Sequence, residues 1–97
     1  MHRITRAALI QASNALPDST DVHAIKQAMI EKHVPLIAQA AERGAKICCL
    51  QEIFSGPYFC AEQETRWYET AERIPDGPTI KLMQKLAKEH NMILVVP

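Results

Sequence analysis

The residues of this sequence whose types suit them to chemistry are few and scattered: one carboxylate at the end of an apolar run, three cysteines and four histidines. The carboxylate is Glu52, within KICCLQEIFSGPYF (residues 46–59), where an uninterrupted apolar stretch gives way to a Gly-Pro loop. A buried strand usually hands over to a turn through Gly, Asn, Asp or Ser. A Glu at that mouth is therefore either a solvated edge residue or a positioned acid/base, and since carboxylates are mostly exposed both readings stand on position alone. Cys48 and Cys49 lie inside the apolar run and read as small hydrophobes rather than nucleophiles. Cys60 follows the loop, with no neighbouring His or Lys in sequence to activate it. His2, His23, His33 and His90 have no metal-ligand spacing, and neither HExxH nor CxxC occurs, so no metal site is expected. His33 falls on the apolar stripe of a helix and reads as a hydrogen-bonded core histidine. Gly44, Gly56 and Gly77 are the only glycines, so neither a dinucleotide fingerprint nor a P-loop can be written. Phe54, Tyr58 and Phe59 come close after Glu52, to line a pocket or to pack in a core.

The elements that must position these residues follow from periodicity and punctuation. Residues 7–12 read as a short buried strand, followed by the turn-rich SNALPDSTD, in which Ser19, Thr20 and Asp21 are candidate N-caps. A long helix begins at Val22, with Ile25, Met29, Leu36, Ile37 and Ala40 on its apolar stripe and Gly44 placed to end it. Pro35 removes a hydrogen bond inside that helix at a cost of about 3 kcal/mol or more, which predicts a kink or two helical pieces. Residues 47–50 form a second strand, and 64–71 a short helix. Pro78 opens a further helix whose face carries Ile80, Met83, Leu86 and Ala87, Asn91 ends it, and residues 92–96 make a third strand. Strands apolar on both faces and alternating with helices predict an α/β layer structure with mainly parallel strands covered by helices. Ligand sites in such sheets lie beyond the carboxyl ends of the strands, and Glu52 is just past one.

Composition narrows the class. With 47% hydrophobic and 23% charged residues the chain is an ordinary globular one, and 97 residues fit one small domain. Eleven basic residues spread among eleven acidic ones leave no electrostatic footprint for nucleic acid or an anionic membrane. Three cysteines, two of them adjacent, cannot form an all-paired disulfide framework, which predicts reduced thiols and a cytoplasmic setting. The apolar stretch at residues 7–10 is too brief for a signal-peptide core or a membrane span. A strand directly before Pro97, with nothing to cover the sheet, predicts that residues 1–97 are the opening portion of a single larger domain.

RGAKICCLQEIFSGPYF and DGPTIKLMQKLAKEHNMILVVP resemble the amino-terminal part of the nitrilase superfamily of carbon-nitrogen hydrolases, in the branch of β-ureidopropionase and N-carbamoylputrescine amidase. The resemblance is carried by the Gly-Ala before the strand, the acid at its end, the E-[IL]-F-x-G loop and the D-G-P-T helix start. It implies a four-layer αββα sandwich and a Glu-Lys-Cys triad with Glu52 as general base. At the closed end of an apolar crevice such a carboxylate is pushed by desolvation towards the range where it takes a thiol proton. The triad's Lys and Cys lie beyond this region, and no motif among residues 53–97 matches either. The resemblance further implies a small N-carbamoyl or amide substrate, no cofactor, and a homo-oligomer for the full-length parent. If the loop sets Tyr58 and Phe59 beside Glu52, they form a narrow aromatic pocket for a planar urea-like head. Gln51 stands where many relatives have Pro. The competing reading is a truncated, non-catalytic segment that acts by packing against a partner.

Overall fold

Residues 3–97 are described by a computed structural model, and His2 lies outside the described residues. Three strands, β1 (Ala7–Leu9), β2 (Ile47–Cys49) and β3 (Ile93–Val95), alternate with two helices, α1 (Val22–Glu42) and α2 (Pro78–Glu89). Two 3₁₀ segments, Phe59–Ala61 and Thr65–Thr70, punctuate the connection from β2 to α2. The strands form one parallel sheet in the order β1-β2-β3, with Ala8 beside Cys48 and Cys48 beside Leu94. The chain is thus mixed α/β with β2 central, as the alternation of periods requires.

Local chemistry sets the ends of the helices. Of the three candidate N-caps the structure uses Asp21, whose carboxylate accepts from the His23 and Ala24 N–H groups, each at 3.1 Å. α1 closes with a left-handed Gly44 at φ +86°. There the Gly44 N–H reaches Ala41 O (2.9 Å) and the Ala45 N–H reaches Ala40 O (3.0 Å), the paired bonds of a Schellman motif. α2 ends the same way on Asn91, at φ +49°, with Asn91 bonded to Lys88 O and Met92 to Ala87 O. α1 runs through Pro35 as a single element, not two pieces. Pro35 and Glu31 are both exposed, so the carbonyl that loses its helical donor faces water. The short helix expected over 64–71 is a 3₁₀ helix, in keeping with its weak apolar stripe.

One face of the sheet carries the core. Cys48 is fully buried against Ile37 and Ala40 of α1 and Met83 and Leu86 of α2, so both helices cover the same side. A second cluster, Val22, Ile25, Met29 and Trp67, ties the first turns of α1 to the second 3₁₀ segment. The other face is left uncovered in this chain. On the other face Leu9 is 85% and Ile93 63% exposed, because no described element lies over them.

Candidate active site

Glu52 follows the central strand at its carboxyl end, within a turn over residues 52–55, and is exposed. It has no hydrogen-bond or ion-pair partner among the described residues, so the enclosing crevice the sequence suggests is open here. Its neighbours, by contrast, are tightly held. Before it, Gln51 Oε1 accepts the Ala12 N–H at 2.5 Å, a bond between residues 39 apart. After it, Ile53 adopts φ +52°. That left-handed geometry costs a β-branched residue about 1–2 kcal/mol, which its surroundings must over-determine. Part of the anchorage is Phe54, 3% exposed, whose ring meets His33 edge-on at 5.2 Å between centroids.

His33 is fully buried, and its Nδ1 lies 2.7 Å from Met29 O, the carbonyl one turn back along α1. A carbonyl only accepts, so Nδ1 carries the proton. This is the hydrogen-bonded core histidine expected, here serving as the floor beneath the Glu52 turn. Phe59 stacks on Trp67 with centroids 6.1 Å apart and joins the second core cluster, while Tyr58 is 70% exposed. Phe59 and Ile53 share a cleft of about 20 Å³ with Ile25 and Trp67, room for one water and no more. Cys48 is held in the core, and burial first, with the neighbouring Cys49 second, pushes its thiol above the ordinary range. It is therefore no nucleophile. Cys49 is half-buried on the uncovered face and Cys60 is exposed, and all three are free thiols.

One cluster was not visible in the sequence. Lys26 of α1 forms a mostly buried ion pair with Glu72 and donates to Thr70 O at 2.7 Å. Glu72 in turn accepts from the Thr79 N–H (2.7 Å) and the Thr79 hydroxyl. It thereby caps α2, whose own N-cap, Gly77, has no side chain to offer. Burial would raise the Glu72 carboxyl, but the bonds from Lys26 and Thr79 outweigh it and hold the group below the ordinary carboxylate range. The one sequence signal was indirect: a helix opened by Gly-Pro needs its cap from elsewhere.

The sequence model for carbon-nitrogen hydrolases matches residues 6–97. Among curated proteins, the β-ureidopropionase of Arabidopsis thaliana is 39% identical over 95 residues, which is 98% of this chain and 23% of that protein. The N-carbamoylputrescine amidase of Solanum lycopersicum is 41% identical over 61 residues, 63% of this chain and 20% of its own length. A citrullinase of Francisella tularensis is 40% identical over 58 residues, 60% of this chain and 20% of its own. The chain thus spans between a fifth and a quarter of the length of these relatives.

Proposed function

The chain belongs to the carbon-nitrogen hydrolase family, and from that premise we propose that residues 1–97 are the amino-terminal portion of an amidohydrolase acting on a small N-carbamoyl amine or amino acid. Glu52 is its general base. The observation that carries this reading is the place of Glu52: a carboxylate with no partner among the described residues, at the carboxyl end of the central parallel strand, where open α/β sheets put their ligands. A Lys and a nucleophilic Cys are supplied from outside these 97 residues. Cys48, Cys49 and Cys60 are poor candidates, being respectively buried, on the far face of the sheet, and without an activating neighbour.

In the proposed reaction the Cys attacks the carbamoyl carbon while Glu52 takes the thiol proton and delivers it to the departing ammonia. Glu52 then accepts a proton from the water that releases the second product. The Lys stabilises the charge that develops on the tetrahedral oxygen. Tyr58 and Phe59 wall the site in the assembled enzyme, and a second sheet, giving four αββα layers, covers the face that carries Leu9, Ile93 and Val95. That face is apolar and exposed in this chain, which supports a further layer there. The names of the relatives, hydrolases of N-carbamoyl compounds among them, support the substrate class.

The test is Glu52→Gln in the full-length protein. Removing a general acid/base typically costs about 10²- to 10⁴-fold, and a group serving both half-reactions belongs at the upper end. Ammonia release from N-carbamoyl-β-alanine, N-carbamoylputrescine, a matched amide and a matched nitrile gives the substrate class in the same assay. Near-normal turnover in Glu52→Gln with an unchanged melting curve would return Glu52 to a solvated loop residue. A better rate on the amide or nitrile would move the enzyme to another branch of the family.

A further inference from the structure

The parallel ladder between β1 and β2 advances two residues at a time on each strand. Its last backbone rung joins the Ile10 N–H to Cys49 O at 2.9 Å. The next donor is the Ala12 N–H, and the acceptor in register with it is the backbone carbonyl of Gln51. The Ala12 N–H goes instead to the side-chain oxygen of the same residue, Gln51 Oε1, at 2.5 Å. An N–H donor fixes which amide atom faces it, since only the oxygen accepts.

From this substitution of side chain for main chain we infer that Gln51 is a positioning residue for Glu52, a role that rests on the reading of Glu52 as general base. The amide completes the sheet by one rung while releasing the Gln51 main chain from it. The released main chain is then free to turn at once, and it does: Ile53 is left-handed at φ +52° and its carbonyl accepts the Gly56 N–H at 3.2 Å. Glu52 is bracketed between two fixed points, the Gln51 amide bound to the strand beside it and the buried Phe54 ring on His33. A proline at position 51 has no side-chain acceptor and cannot make this bond. In a chain with Gln there, the amide is the tether.

The test uses three variants of the full-length protein, read by amide exchange at Ala12 and by steady-state kinetics. Gln51→Met keeps the length of the side chain and removes the acceptor. It should raise Ala12 exchange at least tenfold and lower kcat by about 10- to 100-fold with KM little changed, the scale of a reacting group misplaced by about 1 Å. Ala12→Pro removes the donor of the same rung from the other strand and should lower kcat alike. Gln51→Glu restores an acceptor and should recover Ala12 protection and part of kcat. Unaltered Ala12 exchange in Gln51→Met, or no recovery in Gln51→Glu, overturns the inference. Full kcat in Gln51→Met beside a crippled Glu52→Gln removes only the positioning role. Full kcat in Glu52→Gln removes the proposed function and, with it, anything for Gln51 to position.

Discussion

Replacing Glu72 by Gln should destabilise this chain strongly at neutral pH and much less in acid. The carboxylate has two tasks, capping α2 through Thr79 and pairing with Lys26, and both side chains of the pair are 16% exposed. A Gln carboxamide still offers the Thr79 N–H an acceptor, so the cap weakens by a part of the about 1 kcal/mol an N-cap contributes, while loss of the charge-assisted hydrogen bond to Lys26 costs about 1.5–3 kcal/mol. The two losses share one group and do not simply add. Lys26 also retains its bond to Thr70 O, so it is not left wholly unpaired. A net loss of about 2 kcal/mol is expected, worth roughly 8–16 °C in Tm for a domain of this size.

The sign with pH follows from the direction of the shift. Glu72 is held below its ordinary value in the folded chain, so its contribution is complete above the unfolded pKa, about 4.3, and is lost as pH falls through the lower folded value. Gln does not titrate, and the other carboxylates cancel in the difference between the two proteins. Urea unfolding followed by the single tryptophan, Trp67, buried in the cluster at the start of α1, reads both proteins at pH 7 and well below pH 4. An equal stability gap at the two pH values, or a gap under about 0.5 kcal/mol at pH 7, would refute the assignment, because a group of this kind must contribute when charged and cease when protonated.

Gly77→Ala places a Cβ 2.6 Å from Arg73 O and 2.9 Å from Glu72 Oε1, so it must push apart the same cap; a loss of about 1–3 kcal/mol in urea unfolding is expected, and a neutral result would show that the 72–77 turn yields freely. With a thiol reagent at pH 7, mass spectrometry should find Cys60 modified first, Cys49 more slowly and Cys48 only on unfolding, since Cys48 is buried and its thiol is pushed upward.

What the sequence made legible is what depends on neighbours in the chain. Gly44, Pro78 and Asn91, with Asp21 among three candidate caps, mark helix ends because caps and left-handed closures are satisfied within a few residues, and the structure uses all four there. The parallel order followed from the alternation of apolar strands and amphipathic helices. Whether Pro35 would split the helix was not legible, because the cost of a lost hydrogen bond depends on whether the freed carbonyl reaches water, which is a property of the helix's orientation on the sheet. Lys26 and Glu72 are 46 positions apart and meet only because the connection ahead of α2 folds back onto α1. The Gln51 amide was equally hidden, since nothing in the residue type distinguishes a sheet rung from a solvated side chain. Glu52 could be placed at a strand end, but not its enclosure, because the chain spans 23% of the length of the Arabidopsis thaliana β-ureidopropionase it matches.

Alternation along β2 explains why a carboxylate can stand at this point at all. Cys48 and Leu50 point into the helix-covered core, 0% and 2% exposed, and a regular strand would send residue 52 after them. An ionised carboxylate there would be strongly destabilising without a partner. The strand therefore has to end before position 52, and it ends at Cys49 with one further rung from Leu50 to Val95 O. The left-handed turn at Ile53 then brings Phe54, the next residue of the same parity, back into the core that Glu52 vacates. One apolar ring fills the place alternation assigned to the acid, and the acid gains exposure at the carboxyl end of the sheet while the residues on either side stay fixed. A general base needs both conditions, access to a reacting group and a frame that does not move, and the local sequence Gln-Glu-Ile-Phe meets them with a tether, a carboxylate, a turn and an anchor in four consecutive positions.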